Sequence, residues 1–504
     1  MFQTRCWATA AAAVVSIGWP GVAAAATLNV PGDFATIQAC IDAAVSGVDE
    51  CLVAPGTYHE TINFLGKAVT VRSSGGADVT TIDATGIGGS VVTCSRGEGP
   101  DTVLNGFTIT GGMGTDAGGY TRGGGMYNDH SSPTVTNCTL TGNVASATGG
   151  GMYNNSSSPT VTNCTFSRNE ASHGGGAMYT DGLSSPTILG CIFIENAARW
   201  GGGIEVSGTS VVVISSSFNA NRAASSGGAI YMRGASNVSV SNSAFNGNEA
   251  GEGGAVGSCG RSLTLENCTF AGNGADYNGG AVSSWMTRET IATGCTFSGN
   301  TAAGSGGGMY LLIHGATVDN CIFWANTAVR GKQIYDDLTG VTTSVAYTDV
   351  QGGWLGTGNI STDPMFVRNP SDGGNGWGDD PATPDVDEGA SDDYGDLRVR
   401  GGSPCIDAGD PGFVAQPGET DLDGHARVLC GRVDMGAYEF GIGDYDCDQT
   451  VDLADFSSWQ ACMTGPSTAD TAVPHAPGCE GFDFDGDGDV DLLDFGGFQR
   501  IVGP

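Results

Sequence analysis

Apolar and polar positions along this chain repeat with a period of about 26 residues, eight times between Gly123 and roughly Arg330. An apolar column follows the glycine pairs: Met126, Met152, Met178, Ile204, Ile230, Val256, Val282, Met309. A second column is almost all phenylalanine: Leu140, Phe166, Phe193, Phe218, Phe245, Phe270, Phe297, Phe323. A third is asparagine throughout: Asn143, Asn169, Asn196, Asn221, Asn248, Asn273, Asn300, Asn326. A fixed period of this length predicts a solenoid, in which each repeat buries its apolar residues by stacking on its neighbours.

The residues between the columns predict strands. Segments such as "PTVTNCTFSRNEAS" are rich in Val, Thr, Ile and Ser and lack a 3.6-residue apolar period. Regularly spaced leucines are missing, which excludes leucine-rich repeats. One corner is marked by residues that tolerate a left-handed backbone: Asn137, Asn163, Gly190, Ser215, Asn242, Asn267, Gly294, Asn320. With the glycine pairs as a second corner, the pattern predicts three short strands and three corners per coil, which is a parallel β-helix. Eight coils stacked at ~4.8 Å would add roughly 38 Å of rod.

Two polar columns have both a structural and a functional interpretation. A cysteine column consists of Cys138, Cys164, Cys191, Cys268, Cys295 and Cys321. It could be a metal or redox stack, but Ser216 and Ser243 take the place of cysteine in two coils. We therefore expect compact buried side chains stacked coil on coil. In the asparagine column, we expect stacked amides that satisfy backbone groups at a corner rather than ligands.

The ends of the chain and its charge indicate an exported protein. Residues 1–26 read as a signal peptide with one Arg, an apolar stretch and small residues before Ala26. No later stretch is long and apolar enough to span a membrane as a helix. The net charge is −35 without a basic stripe, so nucleic acid is not an expected partner. Export permits disulfides, and two pairs are plausible: Cys40 with Cys51, which flank the N-terminal cap, and Cys405 with Cys430, which flank the end segment.

Several segments resemble known families. The repeats with "GGAI", "GGGMY" and Phe-x-x-Asn resemble those of chlamydial polymorphic outer membrane proteins. "VPGDFATIQACIDAA" and "CLVAPGTYHETINFLGKAVTVRSSGG" resemble the first coils and capping helix of the pectate-lyase-like right-handed β-helix superfamily. "SPCIDAGD" through "TDLDGHARVLCGRVDMGAYEF" resembles the C-terminal end of large bacterial proteins of this class. The resemblance implies the fold and leaves function open, because the superfamily includes lyases, hydrolases, epimerases and adhesins.

The acidic tail carries a calcium-loop spacing twice. In "DYDCDQTVDLAD" and "DFDGDGDVDLLD", side-chain oxygens fall at positions 1, 3, 5, 9 and 12, and a backbone carbonyl at position 7. Each loop precedes an apolar helical pattern, so the tail resembles a dockerin type I domain. This predicts two calcium ions and an interaction with a cohesin-like or other surface protein, although Leu453-Ala454 and Leu492-Leu493 replace the usual Ser-Thr-like pairs. The predicted ligands are Asp444, Asp446, Asp448, Thr450, Asp452, Asp455, Asp483, Asp485, Asp487, Asp489, Asp491 and Asp494.

The repeats show no catalytic pattern by sequence. The resemblance implies that a lyase would need an Arg or Lys base beside calcium-binding carboxylates, and a hydrolase would need paired acids on one face. The acidic residues are scattered among coils: Asp129, Asp181, Glu205, Glu249, Glu252, Glu289. The arginines are dispersed as well: Arg168, Arg199, Arg222, Arg233. A tyrosine strip follows the apolar column and is expected either to stack on sugar rings or to cover a sheet face: Tyr127, Tyr153, Tyr179, Tyr231, Tyr310.

The sequence thus predicts an all-β protein, a right-handed parallel β-helix with a small α-helical calcium-binding domain. The predicted divisions are a signal peptide (1–26), a cap with the first coils (27–122), the repeats (123–340), C-terminal coils and an end segment with an acidic insertion (341–440), and the dockerin-like domain (441–504). The expected function is non-enzymatic binding of a polysaccharide or cell-surface glycan, or adhesion, by a secreted or outer-membrane-associated protein. The alternative is a polysaccharide lyase or glycoside hydrolase, with catalytic residues that the sequence does not identify.

Overall fold

A computed structural model describes residues 25–337, 343–374 and 392–441. In these residues the chain forms a single helix and a parallel β-solenoid whose coils pass through four sheets, here named C, A, B and D in the order a coil visits them. The helix, Ile37–Ala43, covers the first coil with its apolar face, and Thr36 Oγ1 caps it by accepting from the Ala39 amide at 3.1 Å. Its Cys40 is joined to Cys51 by a disulfide, as predicted.

Sheets A and B carry the Val/Ile and Phe columns on their inward faces. The strands of sheet A are Thr27–Val30, Glu50–Val53, Thr70–Ser73, Val103–Asn105, Thr134–Thr136, Thr160–Thr162, Thr187–Leu189, Ser210–Ile214, Asn237–Ser241, Ser262–Glu266, Glu289–Thr293, Ala316–Asp319 and Ser344–Ala346. Those of sheet B are Gly56–Tyr58, Thr80–Asp83, Thr108–Thr110, Thr139–Thr141, Thr165–Ser167, Ile192–Ile194, Ser217–Asn219, Ala244–Asn246, Thr269–Ala271, Thr296–Ser298, Ile322–Trp324 and Asp349–Val350.

Sheets C and D meet at the glycine pairs. The strands of sheet C are Ile62–Asn63, Val92–Cys94, Met126–Asp129, Met152–Asn155, Met178–Asp181, Ile204–Ser207, Ile230–Arg233, Val256–Cys259, Val282–Ser284, Met309–Leu311 and Ile334–Asp336. Those of sheet D are Val144–Ala145, Glu170–Gly174, Ala197–Trp200, Arg222–Ser226, Glu249–Glu252, Gly274–Ala275, Thr301–Ser305 and Thr327–Arg330. Two antiparallel pairs lie outside these sheets: Thr115–Asp116 with Thr121–Arg122, and Phe366–Arg368 with Asp396–Val399.

The prediction of three strands per coil was wrong for the repeats, because sheet D supplies a fourth. Its strands follow the asparagine column and turn one alanine inward in each coil. An alanine stands two residues after each asparagine of the column, so the sequence did contain a signal for this strand. Alanine, however, does not favour strands, and the segment shows no alternation of apolar and polar residues. The column is Ala145, Ala171, Ala198, Ala223, Ala250, Ala275, Ala302 and Ala328.

The predicted columns occupy the core. The phenylalanines from Phe166 to Phe323 are fully buried and stack face to face, with ring centroids 4.3–5.0 Å apart. All eight predicted corner residues have positive φ, from 48° at Asn242 to 61° at Gly190, so the corner was placed correctly. In the asparagine ladder, each Nδ2 donates to a backbone carbonyl and to the Oδ1 of the next asparagine, except that Asn326 at the end donates to Gln333 Oε1. Asn248 Nδ2, for example, donates to Asn273 Oδ1 at 2.9 Å and to Phe218 O at 2.9 Å. The cysteines of the column are buried free thiols, as expected of compact core side chains.

After the last coil, the end segment packs on the side of the rod formed by sheet B and its corner with sheet A. Its Thr420 is contacted by Asn242 and Asn267, both at 3.1 Å, and the Asp410 amide donates to Asn320 Oδ1 at 2.7 Å. The proposed Cys405–Cys430 disulfide was wrong. Cys405 is a buried free thiol beside Asp349, whereas Cys430 is disulfide-bonded, but not to Cys405.

Candidate functional site

The tyrosine strip lies on the outward face of sheet C and is largely covered. Tyr127, Tyr153 and Tyr179 occupy one register position of consecutive coils, with ring centroids 5.4 and 5.7 Å apart. Tyr153 and Tyr179 are buried, while Tyr127 is partly exposed. The strip is therefore the floor of a groove. Residues at the C-terminal ends of the sheet D segments, among them His173 and Trp200, form one wall of that groove.

Glu205 interrupts this tyrosine column. It takes the register position between Tyr179 and Tyr231 and is only 2% exposed. Its Oε1 accepts from Arg233 Nε at 2.7 Å. Gly174, on the adjoining wall, lies so close to Glu205 Oε2 that any side chain at position 174 would overlap the carboxylate.

A second column of outward-facing residues lies two positions after the tyrosines on the same strands, and it contains charged side chains. Asp129 and Asp181 share this column with Asn155, whose Nδ2 donates to Asp129 Oδ1 at 2.7 Å. Arg233 follows at the same position on a later coil, opposite Ser207. The Oδ1 atom of Asp181 is buried and has no hydrogen-bond partner.

Two arginines connect the columns. Arg233 Nη2 donates to Tyr179 OH at 3.2 Å, and Arg122 Nη1 donates to Tyr153 OH at 3.2 Å. The Arg122 guanidinium also lies 5.4 Å from the centroid of the Tyr153 ring, within cation–π range. We name Arg122, Asp181, Glu205 and Arg233 the charged cluster.

Burial raises the pKa of both carboxyls in the charged cluster. For Glu205 the burial outweighs the opposing effect of Arg233, and the charge of Asp181 raises its pKa further. For Asp181 burial outweighs the opposing effects of Arg122 and Arg233. Burial also raises the pKa of Tyr153 to about 12 and raises that of Tyr179. The tyrosines thus remain protonated near neutral pH, and the two carboxyls hold their protons to higher pH than carboxyls in water do.

The groove contains two adjacent cavities that share Trp200. The first, of about 390 Å³, contains the charged cluster and is walled by Tyr120, His173 and Trp200. The second, of about 340 Å³, is lined mainly by aromatic and small polar residues, among them Tyr231, Tyr277 and Trp285. The groove therefore combines aromatic surfaces with a few convergent polar groups, as small-molecule and sugar sites commonly do.

The expectation that the repeats hold no cluster of acids and bases was wrong. Asp181, Glu205 and Arg233 lie on three successive coils, and in-register stacking brings them together although 26 residues separate neighbouring coils in the sequence. One signal was available, since position 205 holds a glutamate where the coils on both sides hold a tyrosine. Glu249 lies elsewhere, paired with Arg222 on sheet D, and Arg168 pairs with Glu195 on the surface.

The predicted calcium ligands, from Asp444 to Asp494, lie outside the described residues, as does the predicted signal peptide up to residue 24. Among residues 25–337, 343–374 and 392–441, no three His, Cys, Asp or Glu side chains converge in a way that would hold a metal ion. Over the same ranges, no helix has the length and apolar character needed to cross a membrane.

Three solved structures are similar to this chain over about two thirds of its length or more. Among solved structures, the chain is similar to pectate lyase Pel9A, with 15% identity, a TM-score of 0.39, and coverage of 83% of this chain and 97% of that one. It is also similar to the A-module of the Azotobacter vinelandii mannuronan C-5 epimerase AlgE6, with 16% identity, a TM-score of 0.30, and coverage of 67% and 100%. A third is a mannuronic acid specific polysaccharide family 6 lyase from human gut microbiota, with 13% identity, a TM-score of 0.32, and coverage of 68% and 78%.

No curated protein sequence matches the chain. The family model of the right handed beta helix region matches residues 68–228 and 228–348, which together span more than half of the chain. That match includes every coil that contributes to the groove. The chain therefore belongs to the right handed beta helix family.

Proposed function

We propose that this protein is a polysaccharide-cleaving enzyme that binds its substrate along the groove of sheet C and cleaves it at the charged cluster. One observation carries the proposal. Two carboxyls with raised pKa, Asp181 and Glu205, lie beside two arginines in a cavity flanked by aromatic side chains. Perturbed carboxyls in a cleft are the usual signature of acid–base catalysis.

A structural role accounts poorly for this cluster. A tyrosine at position 205 would continue the stacked column, whereas a buried glutamate must be desolvated and then compensated by Arg233. Gly174 adds to the argument, because its missing side chain leaves the space that the Glu205 carboxylate fills. The unpartnered Oδ1 of Asp181 is a further buried polar atom that the fold itself leaves unsatisfied.

The arrangement favours hydrolysis with two carboxyls in different roles. Glu205, ion-paired with Arg233, is the group better suited to remain ionised and to accept a proton from water. Asp181 makes no such ion pair with any described residue and burial raises its pKa, so we assign it the role of donating a proton to the glycosidic oxygen. The two residues lie two positions apart on neighbouring strands, so their Cα atoms are about 8 Å apart. In inverting glycosidases the carboxyl groups themselves lie ~6.5–9.5 Å apart, and this is the separation that the proposed roles require of the two side chains.

A second reaction, β-elimination, has one observation in its favour. His173 lines the same cavity as Arg122 and Arg233, and an imidazole can abstract the proton beside a uronate carboxylate that the arginines hold. In both reactions Tyr153 and Tyr179, which are kept protonated by burial, would position the substrate by hydrogen bonds. Both reactions release a new reducing end, but hydrolysis leaves a saturated non-reducing end, whereas elimination leaves an unsaturated uronate that absorbs ultraviolet light.

The test is degradation of a polysaccharide panel by the full-length protein, with reducing ends and ultraviolet absorbance measured together. Glu205→Gln and Asp181→Asn are expected to lower kcat at least a hundredfold while the melting temperature stays near that of the wild type. Glu195→Gln is the matched control, since Glu195 also pairs with an arginine but on the exposed surface. Binding of a glycan with no cleavage would instead support the non-enzymatic function of glycan binding or adhesion.

We also propose that the enzyme is exported and that residues 441–504 bind two calcium ions. The support is the spacing of the aspartates in both loops and the signal-like pattern of residues 1–26. A surface protein of the cohesin type is the proposed partner of this tail.

A further inference from the structure

The second cavity of the groove differs in chemistry from the first. We name Trp200, Tyr231, Tyr277 and Trp285, together with Glu252, the aromatic pocket. Trp285 and Tyr277 are 44% and 64% exposed, so large aromatic surfaces face solvent along the groove. Glu252 is half-buried, and burial raises its pKa while the neighbouring side chains of Asn278, Trp285 and Ser283 oppose the shift.

The two cavities also differ in charge. The charged cluster offers two arginines to an anion, whereas the described residues that line the aromatic pocket include no Arg, Lys or His. Arg199 stacks 4.3 Å from the Trp200 ring, but it lines a separate cavity on sheet D. An anionic sugar in the aromatic pocket would therefore meet Glu252 without a compensating cation. An uncharged pyranose would place its apolar face on the rings and its hydroxyls near Glu252.

We propose that the aromatic pocket binds an uncharged sugar residue of the same polymer whose acidic residue occupies the charged cluster. The substrate class is accordingly a heteropolysaccharide in which uronates and neutral sugars alternate or are interspersed, rather than a homopolymer of uronates. This inference rests on the proposed function, because it extends the same groove. Continuity supports it, since Trp200 belongs to both cavities and Tyr231 follows Glu205 by one coil, about 5 Å along the rod.

The test compares three probes on the full-length protein: hyaluronan oligosaccharides, which alternate glucuronate with N-acetylglucosamine; oligogalacturonides, which are wholly uronate; and cello-oligosaccharides, which are neutral. Glu205→Gln serves as the binding form, and calorimetry measures Kd. We expect the alternating probe to bind most tightly. We expect Trp285→Ala to weaken its binding about tenfold and to leave any weak oligogalacturonide binding unchanged. Leu183→Ala, at a 91% exposed position outside both cavities, is the control.

A second variant, Glu252→Lys, tests the charge argument directly. It is expected to improve oligogalacturonide binding relative to the alternating probe. Two results would overturn the assignment of a neutral sugar to the aromatic pocket while leaving the proposed cleavage at Glu205 intact. One is that oligogalacturonides bind most tightly to the protein with the unaltered pocket. The other is that Trp285→Ala weakens the binding of all three probes equally. If none of the probes binds, the inference is overturned as well. If polysaccharide cleavage persists in Glu205→Gln, the proposed function fails independently of the aromatic pocket.

Discussion

The Glu205 carboxylate fills the space that the absent side chain of Gly174 leaves on the facing wall. Gly174 ends a strand of sheet D, and Glu205 lies 31 positions later in the sequence, on the sheet C strand that stacks on Met178–Asp181, the strand that directly follows Gly174. Arg233 holds the other carboxylate oxygen from the following coil. Residues from three coils thus hold one carboxylate in place.

Gly174→Ala should therefore displace Glu205 without disturbing the core. The added methyl overlaps the carboxylate, and the φ of Gly174 is not in the left-handed region, so the backbone itself accepts alanine. We expect polysaccharide cleavage to fall tenfold or more while the melting temperature changes little. Gly99→Ala is the control, because its Cβ would meet no neighbouring atom. Unchanged cleavage in Gly174→Ala would mean that the position of Glu205 is not needed.

Asp349 should make stability depend on pH in the acidic range. Burial raises its pKa from 3.8 to about 6; Asp363 raises it further, while the Thr362 amide and the Cys405 thiol oppose the shift. Because the folded state binds the proton more tightly, this stabilisation is complete below pH ~4 and is lost as the pH rises through ~6. The full difference is about 3 kcal/mol.

Urea denaturation midpoints measured between pH 4 and 7 test this contribution of Asp349. We expect the midpoint to fall as the pH is raised. Asp349→Asn, which cannot ionise, should flatten that part of the profile, whereas Asp101→Asn at an exposed position should leave it unchanged. A wild-type slope in Asp349→Asn would contradict the assignment.

The phenylalanine stack should dominate the stability of the repeats. Phe245 is fully buried, with its ring centroid 4.8 Å from that of Phe218 and 4.7 Å from that of Phe270. Phe245→Ala is expected to cost ~3–5 kcal/mol in the free energy of unfolding, because neighbouring coils cannot collapse into the cavity. Phe245→Asp should be worse and prevent stable folding. A wild-type denaturation curve for Phe245→Ala would show that the stack is not the core.

The two aspartate loops should bind calcium with unequal affinity. In the full-length protein, titration is expected to show two ions, with tighter binding by the loop that begins at Asp483. Its Gly488 permits the sharp turn that Gln449 makes costly in the other loop. Asp483→Asn should remove the tighter site, and Asp444→Asn the weaker one. If calorimetry detects no heat of calcium binding, the two loops are not calcium sites and the tail is an acidic spacer.

Local, repeated features of this protein were readable from the sequence. The apolar, phenylalanine and asparagine columns and the left-handed corner are each dictated by side-chain chemistry at one position of the repeat, and each recurs eight times. Repetition made the core unambiguous, because the same residue type must stack on itself in neighbouring coils. The alanine strand escaped notice, since alanine has neither apolar alternation nor strand propensity to mark it.

The groove was decided by tertiary structure. Asp181, Glu205 and Arg233 look dispersed because one coil separates each from the next along the chain, yet parallel in-register pairing sets adjacent coils one strand spacing apart. Burial raises the pKa of both carboxyls, and Glu205 lies against Gly174 of sheet D, an element that the repeat pattern did not predict. The sequence alone thus determined the solenoid and its core, because these depend on what repeats. The candidate site depends on the few positions that break the repeat, and only the stacking of coils brings those positions together.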